Sequence, residues 1–300
     1  IIPAWIMHES RYIPKNIANY VVENNKGYII YNIAIGDRDV EIYFGLLNDS
    51  DLLELGKFDK YVNKMITWLK IAFSFAPAKC SKKLKIYVFL TPLKKSLPNN
   101  QFKILSPTNC NSAVTMSCSP HGEIIVYRKE EFFKVFIHET FHTLGLDFSN
   151  MQLKKFNERV KTLFPIKSDF NLFEAYAEFW ASKMNSLFTS FYLLDDKNDL
   201  KQFLLYSDFC IRFEQIFSLF QMIKILDFMG LKYPNLYSND KVSLGVRRYL
   251  FKEKTNVFAY YIIKTLLLYK NIDFLSWCKK HNNNIMTFNK SPGTLLSFLK

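Results

Sequence analysis

The stretch Phe136-Ile137-His138-Glu139-Thr140-Phe141-His142-Thr143-Leu144-Gly145 decides how the rest of the chain is read. It reads as helix, and it closes on a glycine, whose missing Cβ suits a helix C-terminus. On a helix, residues four apart lie about 40° apart around the axis, so His138 and His142 present their imidazoles side by side while Glu139 points beside them. Two neutral imidazoles suit Zn²⁺, leave room for a third protein ligand and a water, and put a carboxylate where it can take that water's proton. With 5 histidines in 300 residues, chance rarely produces this spacing, so the pattern is specific. The plainer alternative is a helix whose histidines only pack or cap.

The segments before this helix alternate strand and helix. Gly27 to Ile35 and Val40 to Leu46 are rich in β-branched and aromatic residues, and Gly36-Asp37-Arg38-Asp39 between them is a hairpin signal. Leu52 to Phe75 has helical spacing, and Leu84 to Leu90 returns to strand before Pro92. Asn111 to Met116 and Glu123 to Tyr127, joined by Ser119-Pro120-His121-Gly122, form a second strand pair leading into the motif helix, expected over Lys129 to Leu144. After Gly145 nearly everything reads helical: Gln152 to Leu163, Phe170 to Leu187 behind a Ser168-Asp169 cap, Leu200 to Met229, Thr255 to Tyr269 and Asp273 to Lys280. The expected class is α+β. Residues 1–148 form an N-terminal lobe with a mixed, largely antiparallel sheet and the motif helix, and residues 149–300 form a helical C-terminal lobe.

Composition narrows the partners. A 49% hydrophobic chain has ample core, and its net charge of +13 invites an anionic partner. The lysines, however, are scattered among asparagines, isoleucines and phenylalanines, a mixture that AT-rich coding also produces. Short runs such as Ser81-Lys82-Lys83-Leu84-Lys85 and Lys94-Lys95 lack the aromatic interleaving of a base-stacking surface, so nucleic acid is not the expected partner. Cys80, Cys110, Cys118, Cys210 and Cys278 are odd in number, widely spaced and without a Cys-x-x-Cys pair, so neither a disulfide framework nor a thiolate zinc site is expected and a reducing, intracellular compartment fits. The opening Ile1-Ile2-Pro3-Ala4-Trp5 has no initiator Met and no secretory pattern, as in a trimmed product. The most apolar stretches, Ile216 to Met229 and Val257 to Tyr269, are charge-interrupted and too short to span a bilayer.

A tetrahedral catalytic zinc needs one more ligand. Six residues beyond His142 stands Phe148, with Asp147 one residue off register, which disfavours the metzincin pattern. Phe173-Glu174-Ala175-Tyr176-Ala177-Glu178-Phe179-Trp180-Ala181 offers two carboxylates four apart on one helix face, and either Glu174 or Glu178 could be the ligand.

With these residues in view the chain resembles the gluzincin class of zinc metallopeptidases, the thermolysin-like and neprilysin-like group. The resemblance implies a two-lobe zincin-like fold and makes Glu174 the third ligand and Glu178 the acid that orients His138; Ala177 echoes the Glu-x-x-Ala of minimal gluzincins. The sequence departs from the family in having Glu rather than Asp at 178 and Phe173 where the family has Asn. Asn111, Ser112 and Ala113 look like the substrate-binding edge strand, although Ser112 separates what the family keeps as an Asn-Ala pair. The class also places a Tyr or His across the cleft to stabilise the oxyanion. Tyr261 is the preferred candidate, followed by Tyr260, Arg247, Arg248 and His281, while His8 and His121 stand alone. Tyr127-Arg128-Lys129-Glu130-Glu131-Phe132-Phe133-Lys134 and the motif helix are further similar to proteins of large DNA viruses. The implied activity is peptide-bond hydrolysis with Glu139 as general base, acting on a peptide or protein. The competing reading is a noncatalytic zincin-fold protein that binds nucleic acid or an acidic partner through its basic surface, and a third is a hydrolase of another polarised carbonyl. Loss of Glu139 would mark a pseudoenzyme, and Glu139 is present.

Overall fold

A computed structural model describes Pro3 and residues 12–299, so His8 and most of the opening stretch lie outside the described residues. The chain divides into two compact units. One comprises the chain up to Ser96 together with Pro107–Asn150, and the other Leu97–Ser106 together with the chain from Met151 onward.

The first unit is built on a five-stranded sheet: β1 (Tyr28–Ile35), β2 (Arg38–Gly45), β3 (Lys83–Val88), β4 (Ala113–Thr115) and β5 (His121–Val126), in the order β1-β2-β3-β5-β4. The expected hairpin is there, with β1 antiparallel to β2 around Gly36, which sits at φ +62° where glycine is least strained. The sheet is mixed but not largely antiparallel, because β2, β3 and β5 run parallel and only the outer pairs β1/β2 and β4/β5 are antiparallel. The reason lies in the connection: a long helix joins β2 to β3, and a crossover of that length returns the chain in the same direction. Helices of this unit are α1 (Lys15–Asn24), the short α2 (Asp49–Leu53), α3 (Gly56–Phe75), α4 (Pro107–Cys110) and the motif helix α5 (Phe132–Thr143). The single helix expected over Leu52 to Phe75 is two, since Asn48 and Asp51 close a capping box around α2 and α3 then restarts.

Both faces of the sheet are covered. Ile17 and Val21, one turn apart on α1, pack with Tyr87, Phe89, Ile125 and Tyr127 on one side. Residues of opposite parity face the other side, where Phe44 meets Phe58 of α3 and Trp68 of α3 stacks on Phe141 of α5 with ring centroids 6.2 Å apart. Burial on both faces explains why β3 and β5 end in the unbroken apolar runs Ile86-Tyr87-Val88 and Ile124-Ile125-Val126.

The disulfide-free reading of the cysteines is corrected: Cys80 and Cys118 form a disulfide, with Cα atoms 4.9 Å apart. They are 38 residues apart in sequence, but one precedes β3 and the other β5, adjacent parallel strands, and Ser81 N–H donates to Ser119 O (2.6 Å) beside them. Local spacing could not reveal a pair created by strand pairing.

The second unit contains α6 (Lys154–Leu163), α7 (Leu172–Leu193), α8 (Leu200–Phe228), α9 (Lys241–Leu250), α10 (Lys264–Tyr269), α11 (Asn271–His281) and α12 (Pro292–Ser297). Its core is aromatic: Phe179 of α7 meets Phe274 edge-on at 4.6 Å, and the Tyr176 hydroxyl donates to Met286 O (2.9 Å). Ser168 and Asp169 do not cap α7; Asn171 occupies that position, without a side-chain cap bond. The helix expected over Thr255 to Tyr269 opens as one π-helical turn, Phe258–Ile263, before continuing as α10. No helix among the described residues is long and apolar enough to cross a membrane.

Candidate metal centre

The motif helix is the unusual element of the first unit. From Phe133 to Thr143 every residue of α5 is buried, including Lys134, His138, Glu139, Thr140, His142 and Thr143. A helix carrying this many polar groups inside a protein must give each a partner. Trp68 Nε1–H donates to Thr140 Oγ1 (2.8 Å), and Ser81 Oγ donates to Thr143 O (3.1 Å).

The histidines face each other. His138 Nε2 and His142 Nε2 are 3.0 Å apart, with the rings nearly perpendicular. Two nitrogens bound tetrahedrally to one zinc at about 2.0–2.1 Å lie roughly 3.3 Å apart, so the spacing is close to that of two ligands on a common ion. His142 Nδ1 donates to the Asp147 carboxylate, which is fully buried. That bond fixes the tautomer: with the proton on Nδ1, Nε2 carries the lone pair, the form in which an imidazole ligates a metal.

Local backbone chemistry puts Asp147 there. Gly145, at φ +64°, reverses the chain; Leu146 N–H donates to Phe141 O (2.9 Å) and Gly145 N–H to His142 O (3.0 Å), the double closure of a Schellman turn. The reversed chain brings Asp147 back beside His142. Asp147 is held in turn by Ser149, whose N–H (3.0 Å) and Oγ (2.7 Å) both donate to Oδ1. The disulfide buttresses the same turn: Cys118 N–H donates to His142 O (3.1 Å), and a Cβ on residue 145 would meet Cys118 Cβ at 3.1 Å and Cys80 Sγ at 3.2 Å. Asp147, passed over because it misses a ligand register, is thus the acid that orients His142.

Glu174 and Glu178 lie one turn apart on α7, both half-buried. Asn256 Nδ2 donates to Glu174 Oε1 (3.2 Å), and Asn171 Nδ2 donates to Asn256 Oδ1 (3.2 Å), so an amide chain holds the carboxylate in the first turn of its helix. Among the described residues, His138, His142 and Glu174 are the group able to share a metal ion, with one ligand atom from each within 4.8 Å of the others. Two imidazoles and one carboxylate are the donor set of a catalytic zinc.

Ala113 opens β4, an edge strand. The Ser112 carbonyl accepts from Tyr127 N–H (3.0 Å) and the Asn111 carbonyl from Arg128 Nε (3.0 Å), so both are already engaged within the unit. Tyr261 is half-buried in the π-helical turn, with its carbonyl accepting from Thr265 Oγ1 (2.7 Å). That turn starts where Phe258 N–H donates to Glu253 (2.8 Å), a carboxyl that burial pushes up to about 7. Arg247 is buried and donates to Asn235 O and Ser238 O, Arg248 lies over the Tyr249 ring, and His281 stacks on Trp277 and contacts its carbonyl. His121 is exposed on β5. Comparison with protein-family models, with curated proteins and with solved structures gives no match.

Proposed function

We propose that the chain is a zinc-dependent peptidase of gluzincin type with a zincin-like two-lobe fold. His138, His142 and Glu174 hold the ion and Glu178 supports His138. The observation that carries this reading is the facing imidazole pair, with His142 locked by Asp147 into the tautomer that offers Nε2. The His-His-Glu grouping supports it further.

A bound zinc supplies Lewis acidity to water and to a substrate carbonyl. Glu139, one residue from His138 and 8% exposed, accepts the proton from the attacking water and passes it to the leaving amine. Its burial limits the access of bulk water that would compete for that proton. The β4 edge lets an extended peptide add as a further strand; with the Asn111 and Ser112 carbonyls engaged, pairing falls on the outward backbone groups from Ala113 onward. Tyr261 is assigned to the developing oxyanion.

Metal analysis of the purified chain with a peptide-library cleavage profile tests the reading. One zinc per chain is expected, with Glu139→Gln keeping the metal but losing on the order of 10² to 10⁴ in turnover, because Gln accepts a hydrogen bond yet cannot take a proton. A zinc-loaded wild type that cleaves nothing in the library overturns the peptidase reading, and His138→Ala binding zinc as tightly as wild type overturns the site.

A further inference from the structure

The long helix α8 is inside out. Leu205, Phe209, Phe213, Ile216, Phe220 and Ile223 recur at intervals of three or four and form one stripe, yet each is between 56% and 68% exposed. The inward side of the same helix carries Ser207 and Ser218, both buried, and Glu214, which accepts from Ser182 Oγ (3.0 Å) and Ser218 Oγ (3.2 Å). A helix apolar all round is normally covered all round. At about 200 Å² for a fully exposed large side chain, these six residues leave roughly 700 Å² open, more than the largest patch of an ordinary monomer.

The charges at the two ends of the stripe say what covers it. Lys201 stands four residues before Leu205 and Asp227 four after Ile223; both are exposed. Reversing the stripe exchanges Leu205 with Ile223, Phe209 with Phe220, Phe213 with Ile216 and Lys201 with Asp227, so the seam is complementary to an antiparallel copy of itself. A parallel copy in register would set lysine against lysine and aspartate against aspartate. A bilayer surface would favour cations along both flanks, whereas acids stand beside the bases here: exposed Asp208 pairs with Arg212 (2.7 Å), and exposed Asp227 follows Lys224 by three residues. The open area also matches the approximately 800 Å² per partner that a stable dimer buries.

We propose that the α8 face is the interface of a two-fold homodimer, with two copies of α8 packed antiparallel across the seam. This rests on the second unit alone and is independent of the metal-site reading. Sedimentation equilibrium of the full chain and of charge variants tests it. The wild type is expected to be a dimer at micromolar concentration, and Phe213→Glu with Ile216→Glu should weaken association at least about 100-fold while circular dichroism stays unchanged, because the substituted side chains are exposed. Lys201→Asp or Asp227→Lys alone should each weaken it several-fold, and the two together should restore it. A monomeric wild type overturns the proposal, including one that binds phosphatidylcholine vesicles through this face. So does a dimer indifferent to the glutamates, and single charge variants without effect overturn the antiparallel register.

Discussion

The two helices α5 and α8 break the amphipathic rule in opposite directions. α5 has 12 residues, carries two histidines, a glutamate and two threonines, and is buried on nearly every side. α8 has 29 residues, is apolar around most of its circumference, and leaves a long apolar stripe open while its serines and Glu214 turn inward. Placing polar groups inside is unfavourable unless each is partnered, and leaving apolar surface outside forfeits burial that folding could have gained. Each departure carries one of the two proposals made above, an ion for α5 and a partner surface for α8.

The inward polar side of α8 is where that contrast breaks most easily. Lys264, nearly fully buried, has its ammonium 3.7 Å from Glu214 and donates to Ser218 Oγ (2.8 Å). Glu214→Ala leaves a buried ammonium short of its counter-charge and should destabilise the chain by about 3 kcal/mol, whereas Glu214→Ala combined with Lys264→Met should recover much of the loss. Chemical denaturation reads both. If Glu214→Ala is within about 0.5 kcal/mol of wild type, as ordinary surface substitutions are, the polar interior of α8 is not structural and the helix is merely tilted.

The next effect concerns how α5 presents its ligands. Asp147→Ala removes the acceptor that fixes the His142 tautomer and should lower zinc affinity about 10- to 100-fold, measured by competition with a chelator. Asp147→Asn should fall between the two, since its carbonyl still accepts from Nδ1. An unchanged affinity in Asp147→Ala would mean that helix packing alone orients the ring.

What could be read from the chain follows the range of the interactions involved. The β1/β2 hairpin was legible because Gly36-Asp37 lies between two β-branched runs, and the motif helix because four-residue spacing fixes which side chains share a face. The α+β class followed from the order of these segments. The parallel centre of the sheet was not legible, since direction depends on how a long connection returns. Asp147 was missed although its signal is local: a glycine ending a helix, followed two residues later by an acid, returns that acid to the last turn. Asn256 was out of reach, because it meets Glu174 across 82 residues. The Cys80–Cys118 disulfide was hidden for the same reason, and the open stripe of α8 because periodicity reports an apolar face without saying whether the chain covers it.

The smallest effect expected is the one that separates the packing of α5 from its chemistry. The Trp68 indole N–H donates to Thr140 Oγ1, and that hydroxyl donates onward to Ile137 O (2.6 Å), all in the buried layer between α3 and α5. Thr140→Val keeps the shape but removes the acceptor of the buried indole N–H, at about 1–2 kcal/mol of folding stability. Ile137 O keeps its place as a helix carbonyl, so the loss should come chiefly from the indole. A double-mutant cycle with Trp68→Phe isolates that part, because phenylalanine has no donor to strand and the second substitution should then add little. Zinc affinity should stay at the wild-type value throughout, since Thr140 faces Trp68 of α3 and, two residues from each histidine, lies on the side of α5 away from the imidazoles. Equal losses of stability and of metal binding in Thr140→Val would show that α5 cannot be loosened without disturbing its ligands, so that the burial of its polar residues and its candidate metal site are one property.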